Sequence, residues 1–248
     1  MTIRTTTWTC VLAAILAVPG VASAADWEFK LAPYLWFAGL EGDVATIPGV
    51  PSAPIDVSPS DAIQDTEAAV MLMFEARKAR HGLFVDFIYT DVRSKEEVFP
   101  DLGISLRTVS KSTILSGAYQ YRLVEGEGNN IDLMGGLRYW EVDSFLSFTG
   151  PLQVSGRNKE DWVDPFIGLK GYYRFGSSKF YTSYGAAVGG FDAGSKLFYD
   201  LSLNLGYQWT DAIGTVVGYR LFDVDYDHKG FLWDVQQAGL GVGLAWRF

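Results

Sequence analysis

Hydrophobic and polar residues alternate along most of this chain with a period of two, which is the pattern of β-strands whose two faces meet different surroundings. Between positions 197 and 209, leucines and aromatic residues occupy most of the odd positions, whereas Asp200, Ser202 and Asn204 lie at even ones. Residues 239–248 alternate in the same way, with large apolar residues at the even positions. The chain is therefore predicted to be all-β.

Ten segments show this alternation, and we predict one strand from each: Trp27–Phe37, Val70–Arg77, Leu83–Thr90, Ser112–Arg122, Ile131–Trp140, Val163–Phe175, Phe180–Val188, Leu197–Trp209, Thr215–Leu221 and Gly239–Phe248. Each apolar face is about as long as a transmembrane strand, roughly 9–11 residues. An even number of strands returns both termini to one side. We predict a closed antiparallel, up-and-down transmembrane β-barrel of ten strands. The alternatives are eight strands, if a hairpin is lost, and twelve, if the segment 143–161 is split.

Short connections alternate with longer ones, as periplasmic turns alternate with extracellular loops in outer-membrane barrels. The longer connections are predicted at 41–67, 93–105, 143–161, 191–196 and 223–234. The first contains six acidic residues and no basic one, and Ser58-Pro59-Ser60-Asp61 predicts the start of a short helix within it. This loop is expected either to fold inward as a lid or to lie on the lipopolysaccharide surface, and we favour the second.

The second face of the strands carries too many charges for a dry protein core, because buried charges persist only when they are paired or hydrated. It is therefore assigned to the lumen, and the aromatic and aliphatic face to lipid. We expect the lumenal charge network to consist of Glu75, Arg77, Asp86, Arg138, Asp164, Lys170, Asp200 and Arg220. Because about eight strands are just filled by side chains and 16–18 leave a channel, a ten-stranded barrel favours a largely side-chain-filled lumen over a selective pore.

The N-terminus has the features of a secretory signal peptide. Arg4 provides the positive charge, Val11–Pro19 a short apolar segment, and Ala22-Ser23-Ala24 the cleavage pattern. We predict cleavage after Ala24, which leaves residues 25–248 as one barrel domain. Cys10 leaves with the signal, so the mature chain has no thiol for a disulfide, a metal or a nucleophile.

Charge and composition narrow the functional classes further. The formal net charge of −9 makes nucleic acid a poor partner. Aromatic residues at the strand ends match the interfacial girdles of membrane barrels. No cofactor and no metal site are predicted.

The C-terminal segment Gly239-Leu-Gly-Val-Gly-Leu-Ala-Trp-Arg-Phe248 resembles the C-terminal signal of outer-membrane barrels. The resemblance implies that Leu244, Trp246 and Phe248 are read by the barrel-assembly machinery after delivery by periplasmic chaperones. Lys30–Trp36 and Gly218–Asp227 also resemble a broad group of poorly characterised Gram-negative outer-membrane barrels. This second resemblance implies an integral outer-membrane protein in contact with membrane lipids and lipopolysaccharide.

His228 lies among acidic residues of the last predicted outer loop and raises the question of a catalytic site. Omptin proteases are ten-stranded barrels with Asp and His groups at the outer rim, but their Asp lies two residues before the His, whereas Asp227 and His228 are adjacent here. A lipid-hydrolysing site would need a Ser activated by a His, and neither His81 nor His228 has such a partner in its own segment.

We therefore expect a monomeric, non-enzymatic barrel with a structural or interaction role through acidic extracellular loops. A small pore or uptake channel is the first alternative. A surface hydrolase, omptin-like or lipid-modifying, is the second.

Overall fold

A computed structural model describes residues 27–47, 49, 51–99, 104–149 and 154–248. The strands of the described part are β1 Trp27–Ala45, β2 Ala53–Val57, β3 Thr66–Lys78, β4 His81–Phe99, β5 Ile104–Gly126, β6 Asn129–Thr149, β7 Val154–Arg174, β8 Phe180–Gly190, β9 Leu197–Gln208, β10 Ile213–His228 and β11 Phe231–Arg247. One helix, α1, spans Pro59–Asp65. The predicted signal peptide and its cleavage site lie outside the described residues.

Ten of these strands form a closed antiparallel barrel, as predicted. From β3 to β11 each strand pairs with its sequence neighbour, and β1 closes the wall by pairing with both β11 and β3. At the seam, Phe29 and Phe248 exchange two backbone hydrogen bonds, each with an N–O distance of 3.0 Å. The eleventh strand, β2, pairs only with the outer part of β1. Within the described part, no helix has the length and apolarity needed to cross a membrane.

The two faces of the wall have the predicted assignment. Side chains of the apolar face point away from the lumen and are exposed, as in Val70, Leu83, Leu137, Leu203 and Leu240. Side chains of the other face are buried inside the barrel, as in Arg77, Asp86, Asp132, Arg138 and Asp164. Lipid requires that backbone polar groups be paired within the protein, and a closed barrel meets this requirement.

In three of the predicted outer loops, the described residues are mostly strand. Residues 93–99 and 104–105 continue the hairpin β4–β5, residues 143–149 and 154–161 continue β6–β7, and residues 223–234 continue β10–β11 with the tight turn Lys229–Gly230. The prediction was wrong there because it followed the apolar face. That face stops at the membrane boundary, whereas backbone pairing continues beyond it with polar side chains on the outside.

The described residues of the first connection, Glu41–Glu67, are structured as well. Ser58 caps α1, its hydroxyl accepting a hydrogen bond from the backbone N–H of Asp61 at 3.3 Å, which confirms the predicted helix start. The helix has no buried residue. By contrast, Thr46 and Ile47 are buried, and Ile47 packs so closely on Gly156 of β7 that a Cβ at Gly156 would clash with it. This part of the loop folds inward, against the favoured expectation, because Ile47 gains apolar burial there.

Candidate functional site

The lumen of the barrel is the candidate functional site, and a charge network occupies its middle. Arg220 of β10 donates to Asp200 at 2.7 Å and to Asp86 at 2.9 Å, and Arg138 of β6 donates to Asp200 at 2.8 Å. The Tyr34 hydroxyl donates to Asp86 at 2.7 Å and accepts from Arg220 at 3.1 Å. These five residues, the central network, join β1, β4, β6, β9 and β10 across the lumen. Opposite charges in direct contact offset the cost of removing them from water.

A second set of ion pairs lies closer to the periplasmic end. Asp132 accepts from Arg77 at 2.6 Å and from Arg122 at 2.9 Å, and Glu75 is bound by Lys30 at 3.2 Å and, on the other side, by Lys170. Sequence reasoning named Glu75, Arg77 and Lys170 for the network. Lys30, Arg122 and Asp132 were predicted to lie on the lumenal face but were not included in the predicted charge network.

Asp164 lies in the lumen but not in either ion-pair set. Its carboxylate accepts from the Ser195 backbone N–H at 2.6 Å, from the Ser195 hydroxyl at 2.8 Å and from the Trp162 indole N–H at 3.1 Å. Ser195 belongs to the 191–196 connection and is fully buried. Asp164 therefore holds this connection inside the barrel mouth, where backbone and hydroxyl donors replace a basic partner.

The outer half of the lumen is filled by aromatic rings. Phe222, Trp140, Trp162 and Tyr226 form one continuous stack, with centroid distances of 4.9, 5.4 and 3.9 Å between successive rings. Further buried rings pack around this stack, and together they form the aromatic plug: Trp36, Trp140, Trp162, Phe166, Phe198, Phe222, Tyr226, Phe231 and Trp233. Protein interiors of this kind are close-packed, and these rings fill the outer half of the lumen.

The plug and the central network meet at the two arginines. The Arg138 guanidinium lies 4.6 Å from the Phe198 centroid and 4.8 Å from that of Phe222. The Arg220 guanidinium lies 5.3 Å from the centroid of the Trp36 ring. A cation over a ring face is attracted by the quadrupole of the ring, more strongly where water is excluded. The arginines thus connect the apolar outer half to the charged inner half. The sequence predicted a largely side-chain-filled lumen but not that aromatic rings would fill its outer half, although every member of the plug lies on the lumenal face.

The periplasmic half of the lumen contains a cavity of about 850 Å³, which we call the vestibule. Its lining runs from the central network down to Trp27, Asp211 and Phe248 at the periplasmic strand ends. The vestibule is large for a barrel that was expected to be largely filled. Glycines and small residues make this room, among them Gly185, Ser202, Gly218, Gly241 and Gly243.

Acidic side chains form a row on the outside of the barrel, above the apolar band. Asp234 lies directly between Asp43 and Asp225 on the neighbouring strands. Partial desolvation, and then the charges of Asp225, Asp223 and Asp43, raise the pKa of Asp234 above its ordinary range. Among the described residues, no group of three or more His, Cys, Asp or Glu side chains has a geometry that could hold a metal ion.

The two histidines lie at opposite ends of the barrel. His228 is exposed at the end of β10, with the Tyr226 ring 6.4 Å away, and His81 is exposed at the periplasmic end, where it bonds the Tyr119 hydroxyl at 2.5 Å. None of the hydrogen bonds within the described part joins either histidine to a serine. The structure thus brings no Ser–His pair together at these positions.

Solved structures of known proteins resemble this chain. No family model and no curated protein match the chain. The chain resembles the outer-membrane protease OmpT of Escherichia coli with a TM-score of 0.54 and 11% identity, over 92% of this chain and 99% of OmpT. It is also similar to Ail of Yersinia pestis (TM-score 0.36, 12% identity, 90% and 99% covered) and Neisserial surface protein A (0.30, 13%, 89% and 97%). The likeness to OmpT shows that the chain has the fold of Gram-negative outer-membrane barrels.

Proposed function

We propose that this protein is an integral outer-membrane barrel that does not conduct solutes, and that it has a structural or interaction role through its acidic outer surface. The aromatic plug carries the first part of the proposal. Four stacked rings and their neighbours fill the outer half of the lumen, and the buried Ile47 and Ser195 fold in around the barrel mouth. Displacing these rings would expose apolar surface to water, at a cost of about 25 cal/mol per Å².

The outer surface supports the second part of the proposal. Glu41, Asp43, Asp223, Asp225 and Asp234 lie on adjoining segments of β1, β10 and β11 above the apolar band. An acidic surface at that height faces the lipopolysaccharide head groups and the medium, and it favours cationic partners. We expect the protein to act as a monomer, with export by the predicted signal peptide and assembly through Leu244, Trp246 and Phe248.

Planar-bilayer recording tests the proposed closure. The wild-type protein, refolded and verified by a gel band that shifts on boiling, is expected to give no discrete conductance steps. Trp140→Ala/Phe222→Ala, which removes the middle of the ring stack, serves as the positive control and is expected to give openings. Stable single-channel steps from the wild type would contradict the proposal.

One observation favours the alternative of a small uptake channel, namely the vestibule. A cavity of about 850 Å³ that reaches the periplasmic strand ends is in the size range of ligand sites. In that case the plug would be a gate, and the same recordings would show openings in the wild type. A surface hydrolase has less support, because the described structure pairs neither histidine with a serine. If a hydrolytic activity were found, full activity of His228→Ala would exclude His228 from its site.

A further inference from the structure

The barrel wall is interrupted between β1 and β3. Their ladder runs from Trp27↔Lys78 to Pro33↔Leu72 and ends there. On that side, β1 pairs again only at Leu40↔Val57, where the partner is β2. On its other side, β1 pairs with β11 without a break from Tyr34 to Ala45. Residues 34–39 of β1 therefore lack a strand partner on one edge only.

A side chain closes this interruption in place of a strand. The backbone N–H of Trp36 donates to the Met71 thioether sulfur at 3.2 Å. Met71 is buried and belongs to β3, which at this height pairs only with β4. Thioether sulfur is a weak acceptor and methionine is a flexible side chain, so this contact is easier to open than a backbone ladder.

The interruption lies within the apolar band of the wall. Leu35 on β1 and Val70 on β3 flank it, and both point outward and are exposed. Phe37 is at the height of Leu240, one of the most exposed apolar side chains of β11. In the hydrocarbon region, backbone without a ladder is tolerated only where it is buried in protein or lines a cavity. The interruption is thus a place where the lumen and the lipid come close.

The vestibule lies on the lumenal side of the same interruption. Its lining includes Ala32, Tyr34 and Trp36 of β1 and Met73 of β3. Trp36, whose backbone is bound by Met71, thus lies between the vestibule and the outward-facing Leu35. On the outer side the segment Val57–Pro59 passes directly over Gly39, where an added Cβ would lie 2.8 Å from the Val57 carbonyl oxygen. This bounds the interruption from above.

The charges of the vestibule indicate what it would accept. Eight basic and six acidic residues line it, although the whole chain has a net charge of −9. Arg174 and Arg247 lie at its periplasmic end without a carboxylate within salt-bridge distance in the described part. Nη1 of the buried Arg77 has no hydrogen-bond partner there either. An anionic group would satisfy these donors.

We propose that the interruption between β1 and β3 is a lateral portal, through which a single-chain amphiphile with an anionic head passes between the membrane and the vestibule. The alkyl chain occupies the space held by Met71 and Trp36, and the head meets the arginines of the vestibule. The portal goes beyond the proposed function and is tested separately, because conductance measures the axial path and not the lateral one.

Photolabelling in a bilayer tests the portal. The refolded protein is reconstituted with palmitate that carries a diazirine near the chain end, irradiated, digested and mapped by mass spectrometry. Adducts are expected on the lumen-facing Trp36, Met71 and Met73, which acyl chains cannot reach through an intact wall. Adducts confined to outward-facing residues such as Leu35 and Val70 would overturn the proposal.

Two methionine variants provide a matched comparison. Met71→Ala removes the side chain that closes the interruption, whereas Met134→Ala removes an equally buried lumenal methionine on β6, between two complete ladders. Labelling of Trp36 is expected to rise severalfold in Met71→Ala and to stay unchanged in Met134→Ala. An equal change in both would mean that the two variants only loosen packing, against the portal. If Met71→Ala fails to fold, the positions labelled in the wild-type protein still show whether the acyl chain enters through the interruption.

The head group is tested with the corresponding photoactivatable alcohol of the same chain length. The palmitate probe is expected to label Trp36 more strongly than the alcohol does, because only the acid carries a negative charge that makes charge-assisted hydrogen bonds to the vestibule arginines. Equal labelling by the two probes would show that the anionic head is not recognised.

Discussion

The two halves of the lumen are packed in opposite ways. The outer half is filled by stacked rings such as Trp140 and Trp162, whereas the inner half keeps a cavity of about 850 Å³ between paired charges. Aromatic rings fill space by packing, while ion pairs such as Arg122–Asp132 keep charges paired beside the cavity. A ten-stranded barrel can thus be filled at one end and hollow at the other.

The largest expected loss of stability comes from breaking the central network, where the two halves of the lumen meet. Arg220→Met leaves Asp200 without one of its two cations and Asp86 without its guanidinium. Removing one partner of a buried ion pair typically costs about 3–5 kcal/mol. We expect a loss of that order in the free energy of unfolding, measured by urea titration in lipid.

A matched control is Arg157→Met. Arg157 binds Asp143 at 2.9 and 2.5 Å, but it lies exposed on the outer hairpin β6–β7. Water screens exposed pairs, so we expect little change in stability. A loss as large as that of Arg220→Met would show that burial is not what makes the central network important.

Next in size is the cost of truncating a side chain in either half. Trp140→Ala in the plug leaves a cavity among buried rings, and such substitutions cost about 3–5 kcal/mol in protein cores, with the lower end expected where neighbours relax. Met73→Ala removes a side chain that already borders the vestibule, so we expect a clearly smaller loss. Urea unfolding of both variants measures the difference. Equal losses would remove the distinction between a sealed and a hollow half.

The smallest expected effect concerns the acidic row outside the barrel. Because the pKa of Asp234 is raised in the folded state, folding favours its protonated form. Its charge therefore destabilises the fold at pH values above the raised pKa, and this penalty is lost as pH falls through the raised pKa towards the ordinary Asp value. Asp234→Asn should slightly stabilise the protein at neutral pH and have no such effect in acid. The gain is small because the side chain is exposed. Urea midpoints across pH measure it, and a destabilised variant at neutral pH would contradict the sign.

The alternation along the strands predicted much of the fold because lipid and lumen impose opposite requirements on successive residues. It identified ten strands, their lumenal charges and the start of α1. It missed the extended hairpins, since strands beyond the membrane need no apolar face. It also missed the interruption between β1 and β3, although Pro33 within the first strand was a signal: proline has no N–H for a ladder, and pairing with β3 stops there.

Side-chain partners were harder to predict than strands. Asp164 was expected among the basic residues, but it binds Ser195, whose connection folds inward in a way that periodicity does not reveal. The plug arises because Trp140, Trp162 and Phe222 come from three different strands and meet only through the register of the barrel. Their inward parity was visible in the sequence, but periodicity does not show which rings of different strands come into contact.

One-sided access to the vestibule can be measured most directly with cysteines, because the only native cysteine is Cys10. Ser202→Cys places a thiol in the vestibule, while Lys179→Cys and Asp227→Cys report the periplasmic and outer ends. In proteoliposomes, a membrane-impermeant maleimide added outside should label Ser202→Cys to the same fraction as Lys179→Cys. If Ser202→Cys is instead labelled completely, whichever way the barrel is inserted, water passes the plug and the closed outer half is contradicted.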